Sequence, residues 1–288
     1  MNSALPIHQS VQAQIQKAEG WQAQLDLGLE QRGSRTVIAQ RKHFGPLVVQ
    51  KPFYPEGPVC HVYIIHPPGG VVGGDRLTVN ISSGEQSQAL ITTPAANKFY
   101  RSAGPLARLH QCLSIDTSAT LEWLPQETIL FNGSAVHSRT RIDVSEHSAF
   151  IGWEITCLGR PASGESYTDG HFRQQLEMWK SNRPLIIERS LLQGGQGVLN
   201  APWGLQSCTV TATLLAYPAN KALLELARSS ITAHTDAVCS ATLLQDVLVC
   251  RYLGHHAEQA KAVFTAIWSA IRPALLNRNA CVPRIWKT

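Results

Sequence analysis

The sequence predicts an all-β protein: an irregular, multi-stranded β body carrying two C-terminal amphipathic helices. Three observations support this expectation. Apolar residues alternate with a period of two in short runs over most of the chain, turn residues punctuate those runs at nearly regular intervals, and helical spacings of three and four appear only late. Such spacing suits a sandwich, a barrel or an irregular β-helix-like stack, and no repeat of fixed period selects among them.

Residues 1–20 are polar and Gln-rich and are expected to form an N-terminal tail, leaving 21–288 as one β-rich domain. Trp21, Ala23, Leu25, Leu27 and Leu29 occupy every second position, so 21–30 reads as a strand. Residues 37–40, 47–49 and 59–65 read as further strands, separated by Gly33, Gly45-Pro46 and Pro55-Glu56-Gly57-Pro58. Beyond a turn-dense hinge at 66–75, strands are expected at 77–81 and 89–93, after which 92–102 leaves strand register. The next strands fall at 110–115, 119–124, 128–131, 139–144, 149–158, 172–180, 185–192 and 208–215. A helix is predicted over 220–231, with Leu223, Leu224, Ala227 and Ile231 on one face. A second, over 256–272, aligns Ala260, Val263, Phe264, Ile267, Trp268 and Ile271. Between them, 241–252 reads as one or two strands.

The hinge organises the chain. Pro67 and Pro68 fix φ and remove two donors, while Gly69, Gly70, Gly73 and Gly74 admit positive φ or close approach of another backbone. We read these six as a structural turn in which an added Cβ costs folding or assembly first. It is not a phosphate loop. Asp75 follows Gly74 where a P-loop needs a lysine and a hydroxyl residue, and the alternating run 77–81 replaces the helix that a dinucleotide-binding turn would open.

Composition narrows the function classes. The hydrophobic share is 44% but the charged share only 16%, against about 25% in an average soluble domain. A surface so poor in charge is expected to be covered in part by a partner. The net charge of +5 is spread without any run of Lys or Arg, which argues against nucleic-acid binding. The first 16 residues lack a cationic start and an apolar core, and no apolar run reaches membrane-spanning length. A cytoplasmic protein that does not engage membranes is expected. The seven cysteines follow no CxxC or CxH spacing, so we read them as buried, reduced thiols and expect neither a disulfide framework nor structural zinc.

No catalytic constellation stands out. Cys60 and His66 share strand parity but lie roughly 20 Å apart along a strand, and His255 and His256 diverge around a helix, so no stable metal site is predicted. Asp75, Glu127, Glu154 and Glu165 are carboxylates set among apolar strands; each admits a salt-bridge or capping role as readily as a functional one. A β-helical carbohydrate hydrolase needs two carboxyls about 5–9.5 Å apart, and parity puts Glu122 and Glu127 on opposite faces. A nucleophile elbow is absent. A generic β-rich adaptor remains a further alternative.

Five segments together resemble the UreD (UreH) family of urease accessory proteins: Pro68-Gly69-Gly70-Val71-Val72-Gly73-Gly74-Asp75-Arg76-Leu77, residues 92–102 (TTPAANKFYRS), residues 122–131 (EWLPQETILF), Leu158-Gly159-Arg160-Pro161-Ala162-Ser163-Gly164-Glu165, and the closing Pro283-Arg284-Ile285-Trp286. The stretch 194–280 matches only loosely. The resemblance implies a β-helix-like body with few helices and a non-enzymatic role as a urease maturation chaperone. It implies binding to apo-urease and to UreF, and through UreF to the GTPase UreG, with nickel passing in transit and no cofactor held stably. A nickel path needs oxygen or imidazole groups at intervals, each weak enough to release the ion. On that reading Asp75, Glu127, Glu154 and Glu165 are path candidates, and Lys98, Tyr100, Arg101 and Arg160 are positioning or ion-pairing candidates.

Overall fold

The computed structural model describes residues 20–232 and 235–287. The expected tail at 1–20 therefore lies outside the described residues except for Gly20. In chain order, β1 (Gln22–Arg32) and β2 (Arg35–Phe44) form an antiparallel pair, and β3 (Val48–Val49) pairs with β4 (Cys60–Ile65). β5 (Arg76–Ser83), β6 (Gln88–Thr92) and the short β7 (Asn97–Phe99) make one circuit of the body. β8 (Ala107–Ile115), β9 (Thr120–Leu124) and β10 (Thr128–Leu130) make the next. β11 (Ala135–Val144), β12 (Ala149–Leu158) and β13 (His171–Lys180) continue the winding, and β14 (Arg183–Gln193) folds back on β13. The chain closes with α1 (Gly197–Asn200), β15 (Val210–Tyr217), α2 (Lys221–Ser229), β16 (Val238–Leu244), β17 (Val247–Gly254) and α3 (Ala257–Leu276).

Two sheets result. The first has the order β14-β13-β11-β8-β5-β1-β2, and the second runs β16-β17-β15-β12-β9-β6-β4-β3, with β10 beside β12 and β7 beside β10. Their central strands are parallel: β1, β5, β8, β11 and β13 in the first sheet, β4, β6, β9 and β12 in the second. Because the chain passes repeatedly from one sheet to the other and back, each pass pairing in parallel with the one before, the body is a β-solenoid, the third of the architectures that strand spacing left open. Arg76 lies opposite Arg108, 32 positions on, whereas Ala107 lies opposite Val136, 29 positions on. Unequal turns explain why no fixed period is visible in the sequence.

The two sheets enclose one core. In β1, Ala23, Leu25, Leu27 and Leu29 face it, as the alternation predicts, alongside Val79, Ile81, Leu113 and Ile142. The second sheet is covered on its other face too. Every residue of β12 except Glu154 is buried, the near-continuous apolar run expected of a parallel strand packed on both sides. That outer face holds a second core, in which Trp153 and Leu214 meet Leu223 of α2 and Phe264 and Trp268 of α3. Burying a side chain of this size contributes about 1.5–3 kcal/mol.

The helices sit close to their expected positions. α2 begins where Asn220 Oδ1 accepts the Leu223 amide at 2.9 Å, an N-cap that satisfies an otherwise orphaned donor. α3 runs past 272 to Leu276 and ends on Asn277 in the left-handed region. The single turn α1 was not expected, 92–102 contains β7, and 241–252 proves to belong to the hairpin of β16 and β17. Cys60, Cys157 and Cys250 are buried, but Cys112 is exposed and Cys208, Cys239 and Cys281 are half-buried. The reading of all seven as buried thiols is corrected accordingly: Cys112 sits on the solvent face of the first sheet, where alternation directs it outward.

Candidate functional site

Strand alternation places polar groups inside the solenoid. Register aligns Ser138 with Leu109 and Gln174, and Thr140 with Gln111, all on the inward face. With Glu154 reaching in from β12, these side chains form one network. Gln111 Nε2 donates to Thr140 Oγ1 at 2.9 Å, Thr140 donates in turn to Glu154, and Gln174 Nε2 donates to the other Glu154 oxygen at 2.5 Å. Burial raises the Glu154 pKa, and the bonds from Thr140 and Gln174 oppose that rise without cancelling it. The Glu154 side chain is half-buried between the sheets and lines a cavity that is partly open to the surface.

The cavity measures about 200 Å³ and is walled by Glu154, Gln111, Ser138 and Gln174, by Leu77, Val79, Leu109, Trp123 and Phe172, and by His66, Gly69 and Lys98. A second void of about 10 Å³ shares Trp123 and Glu154 with it. A third, of about 380 Å³, opens beside Glu188 and Arg251 and shares Leu176 and Thr213 with the second. The small void thus shares wall residues with each of the other two, and Glu154 borders both it and the larger cavity. That middle void is about the size that admits one water.

The other candidates occupy different places. Asp75 is nearly buried beneath the hinge, where its two oxygens accept the Trp21 amide at 2.8 Å and the Val72 amide at 2.9 Å. It ties the hinge to the chain entering β1. Gly74 has φ +96°, and a Cβ on Gly70 would overlap the Tyr100 ring; Pro67, Pro68, Gly69 and Gly73 complete the same turn. Tyr100 stands edge-on to Phe131 at 4.8 Å, Arg160 lies over the same ring at 4.2 Å, and Arg160 pairs with Glu165 at 2.7 Å. Arg101 packs over Gly133 nearby. Glu127 is half-buried between β9 and β10, and its charge opposes the lowering of the Lys261 pKa that burial causes. The structure thus brings Lys98 and Glu154 to one cavity and Tyr100, Arg160 and Glu165 to one surface cluster. Asp75 and Glu127 stand apart from both.

A third polar cluster joins the second sheet to α3. Arg272 is fully buried and bridges two carboxylates: Glu122 of β9 at 2.8 and 2.9 Å, and Glu56 at 2.7 and 2.8 Å. Trp268 Nε1 also donates to Glu122 at 2.6 Å. Burial alone would raise the Glu56 pKa, but hydrogen bonds from His61 and Arg272 overcome it and hold the carboxyl at about 2. Ligand atoms of Glu56, His61 and Cys281 lie within 4.8 Å of one another, a spacing compatible with a metal ion. Both Glu56 oxygens are already engaged by Arg272, so an ion there would sit against a guanidinium. The arrangement reads as a lock between helix and sheet.

Sequence reasoning missed Glu56, Arg272, Thr140 and Gln174. One signal was available: Arg272 continues the four-residue spacing of Phe264 and Trp268, and a cation on a buried stripe requires a carboxylate partner. Likewise, strand parity turns Gln111, Ser138, Thr140 and Gln174 inward.

A two-sheet solenoid with a helical layer and a polar cavity between its sheets is the class that this geometry defines. The model of the UreD urease accessory protein family matches residues 22–287. A urease accessory protein UreD from Alcanivorax borkumensis is 45% identical over 275 residues, covering 94% of this chain and 93% of its own. One from Dechloromonas aromatica is 42% identical over the full length of both chains, and one from Klebsiella aerogenes is 41% identical, over 94% of this chain and 98% of its own. The chain belongs to the UreD family of urease accessory proteins, and its role lies in urease maturation.

Proposed function

We propose that this chain is a non-catalytic scaffold that binds apo-urease, engages UreF and, through it, the GTPase UreG, and passes nickel through its interior toward the urease active site. One observation carries the proposal. Glu154 stands in the wall of two neighbouring voids between the sheets, flanked by neutral oxygen and amide groups from Thr140 and Gln174. A carboxyl whose pKa is raised by burial exchanges a divalent ion for a proton more readily than a fully ionised cage would, so it suits transit better than storage. Lys98 stands in the same wall and limits the net negative charge there. The cluster of Tyr100, Arg160 and Glu165, at the solvent edge of the hinge, suits positioning of a partner. Asp75 supports that edge from beneath, and Glu127 has its place between the solenoid and α3.

The test is co-expression of a tagged form of this chain with UreF, UreG and the apo-urease subunits. Co-purification of the partners, with urease activation lost when this chain is omitted, supports the reading. Failure of the folded chain to capture any of them overturns it.

A further inference from the structure

The solvent face of the first sheet collects cations that are far apart in sequence. Register sets Arg76 beside Arg108, Arg108 beside His137, and His137 beside Arg173, so four parallel strands contribute one transverse row. Two residues further along the strands, His110 lies beside Arg139, and Gln175 separates Arg139 from Arg189. The residues that flank these positions along their strands, Leu77, Leu109, Val136, Ser138 and Phe172, are buried, which turns both rows outward.

Neutralisation differs between the rows. Arg139 and Arg189 reach Glu177 at 3.3 and 3.9 Å, and in the third row Arg141 pairs with Asp143 at 2.7 Å. Among the described residues, no carboxylate pairs with Arg76, Arg108 or Arg173. Like charges directly opposite in a sheet are destabilising, so this row works against the isolated fold. His137, the remaining member of the row, has its Nε2 buried without a partner. The first row ends on Leu191, 53% exposed, with Ile187 nearby at 44%. An open groove of about 650 Å³ runs along His137, His171, Arg173, Arg189 and Leu191.

We propose that this face docks the acidic surface of a partner protein, with Arg76, Arg108 and Arg173 as the principal contacts. Adjacent strands stand about 4.8 Å apart, so Arg76 and Arg108 are separated by about the 5–6 Å between residues three or four apart on a helix, and Arg108 and Arg173 by about the 10 Å between residues seven apart. A helix bearing Glu or Asp at such positions can lie across the strands and pair with successive cations. Leu191, at the end of the row beside Arg173, offers it an apolar contact, which a phosphate backbone would not use. The acids Glu177 and Asp26 in the third row, and Asp143 in the row beyond it, bound the patch and repel a polyanion that overran it. The proposal is independent of the interior passage.

The experiment titrates the full chain with three labelled probes: a helical peptide with Glu at every third or fourth position and Leu beside them, the same peptide with Lys for Glu, and a single-stranded RNA of equal charge. Binding is read by fluorescence anisotropy at about 20 and 200 mM salt, which spans strong and weak screening. The Glu peptide is expected to bind the wild type, to weaken about tenfold at the higher salt, and to lose at least about tenfold in affinity for Arg76→Ser/Arg108→Ser/Arg173→Ser. The Lys peptide does not bind. Because substitution removes like-charge contacts, the triple variant is expected to melt no lower than the wild type; the single variant Arg108→Gln repeats the test if the triple variant fails to fold. Absence of Glu-peptide binding to the wild type, unchanged affinity in the variant, or tighter binding of RNA than of the peptide overturns the proposal.

Discussion

Replacing Arg272 by Met isolates the lock that holds α3 on the second sheet. The guanidinium makes four hydrogen bonds at 2.7–2.9 Å to two carboxylates, and Glu122 and Glu56 expose only 2% and 13% of their side chains. Removing one partner of a buried pair strands uncompensated charge and costs about 3–5 kcal/mol. At about 2–4 °C per kcal/mol for a chain of this size, the melting point falls by about 6–20 °C. The pH dependence gives an independent sign. The folded pKa of Glu56, about 2, lies below its ordinary 4.5, so its stabilisation is present above pH 4.5 and lost as pH falls toward 2. That difference corresponds to about 3 kcal/mol. In Arg272→Met, burial dominates and pushes the same carboxyl upward, so the gap between variant and wild type narrows as pH falls from 7 to 4. Urea denaturation followed by the fluorescence of buried Trp153 and Trp268 measures both effects. Neutralising the carboxylates as well, in Arg272→Met/Glu122→Gln/Glu56→Gln, is expected to recover most of the loss. A cost below about 1 kcal/mol at pH 7, or a gap independent of pH, would refute the reasoning.

Three further substitutions separate structural from transit roles. Glu154→Gln removes a carboxylate whose raised folded pKa burdens the native state above the unfolded pKa, so the variant is expected to be at least as stable as the wild type at pH 7. Its urease activation with nickel should nevertheless drop severalfold. Asp75→Ala leaves the Trp21 and Val72 amides without their acceptor and is expected to cost about 3 kcal/mol by chemical denaturation, so any loss of activation there follows instability. Gly70→Ala drives a Cβ into the Tyr100 ring and is expected to cost about 1–3 kcal/mol, recovered in part by Gly70→Ala/Tyr100→Leu.

Short-range patterning carried most of the fold. Period-two alternation placed nearly every strand, and the stripe of Val263, Phe264, Ile267 and Trp268 placed α3, because each reports a single buried face. Winding was less legible: turns of 32 and 29 residues blur any repeat, so the pattern left three architectures open and only the resemblance implied the β-helix-like one, while strand pairing was not foreseen. The same irregularity concealed the cation row, since Arg76, Arg108 and Arg173 sit one solenoid turn or more apart and form no run. Glu154 stood out as an acid in an apolar strand, but its partners Thr140 and Gln174 come from two other strands and depend on register. Asp75 was equally conspicuous. Its Val72 partner is three residues away, but its Trp21 partner, 54 residues away, reflects the three-dimensional path of the chain, which local sequence does not encode.

The most direct test of the central claim is to plug the interior without touching the surface. Ser138 is buried in the cavity wall, and Ser138→Leu fills part of its volume of about 200 Å³. Reconstitution with UreF, UreG, apo-urease and nickel, following complex formation and urease activity together, is expected to give an intact complex that activates urease more slowly than the wild type. Activation at the wild-type rate by a complex containing the plugged chain would contradict passage through this protein.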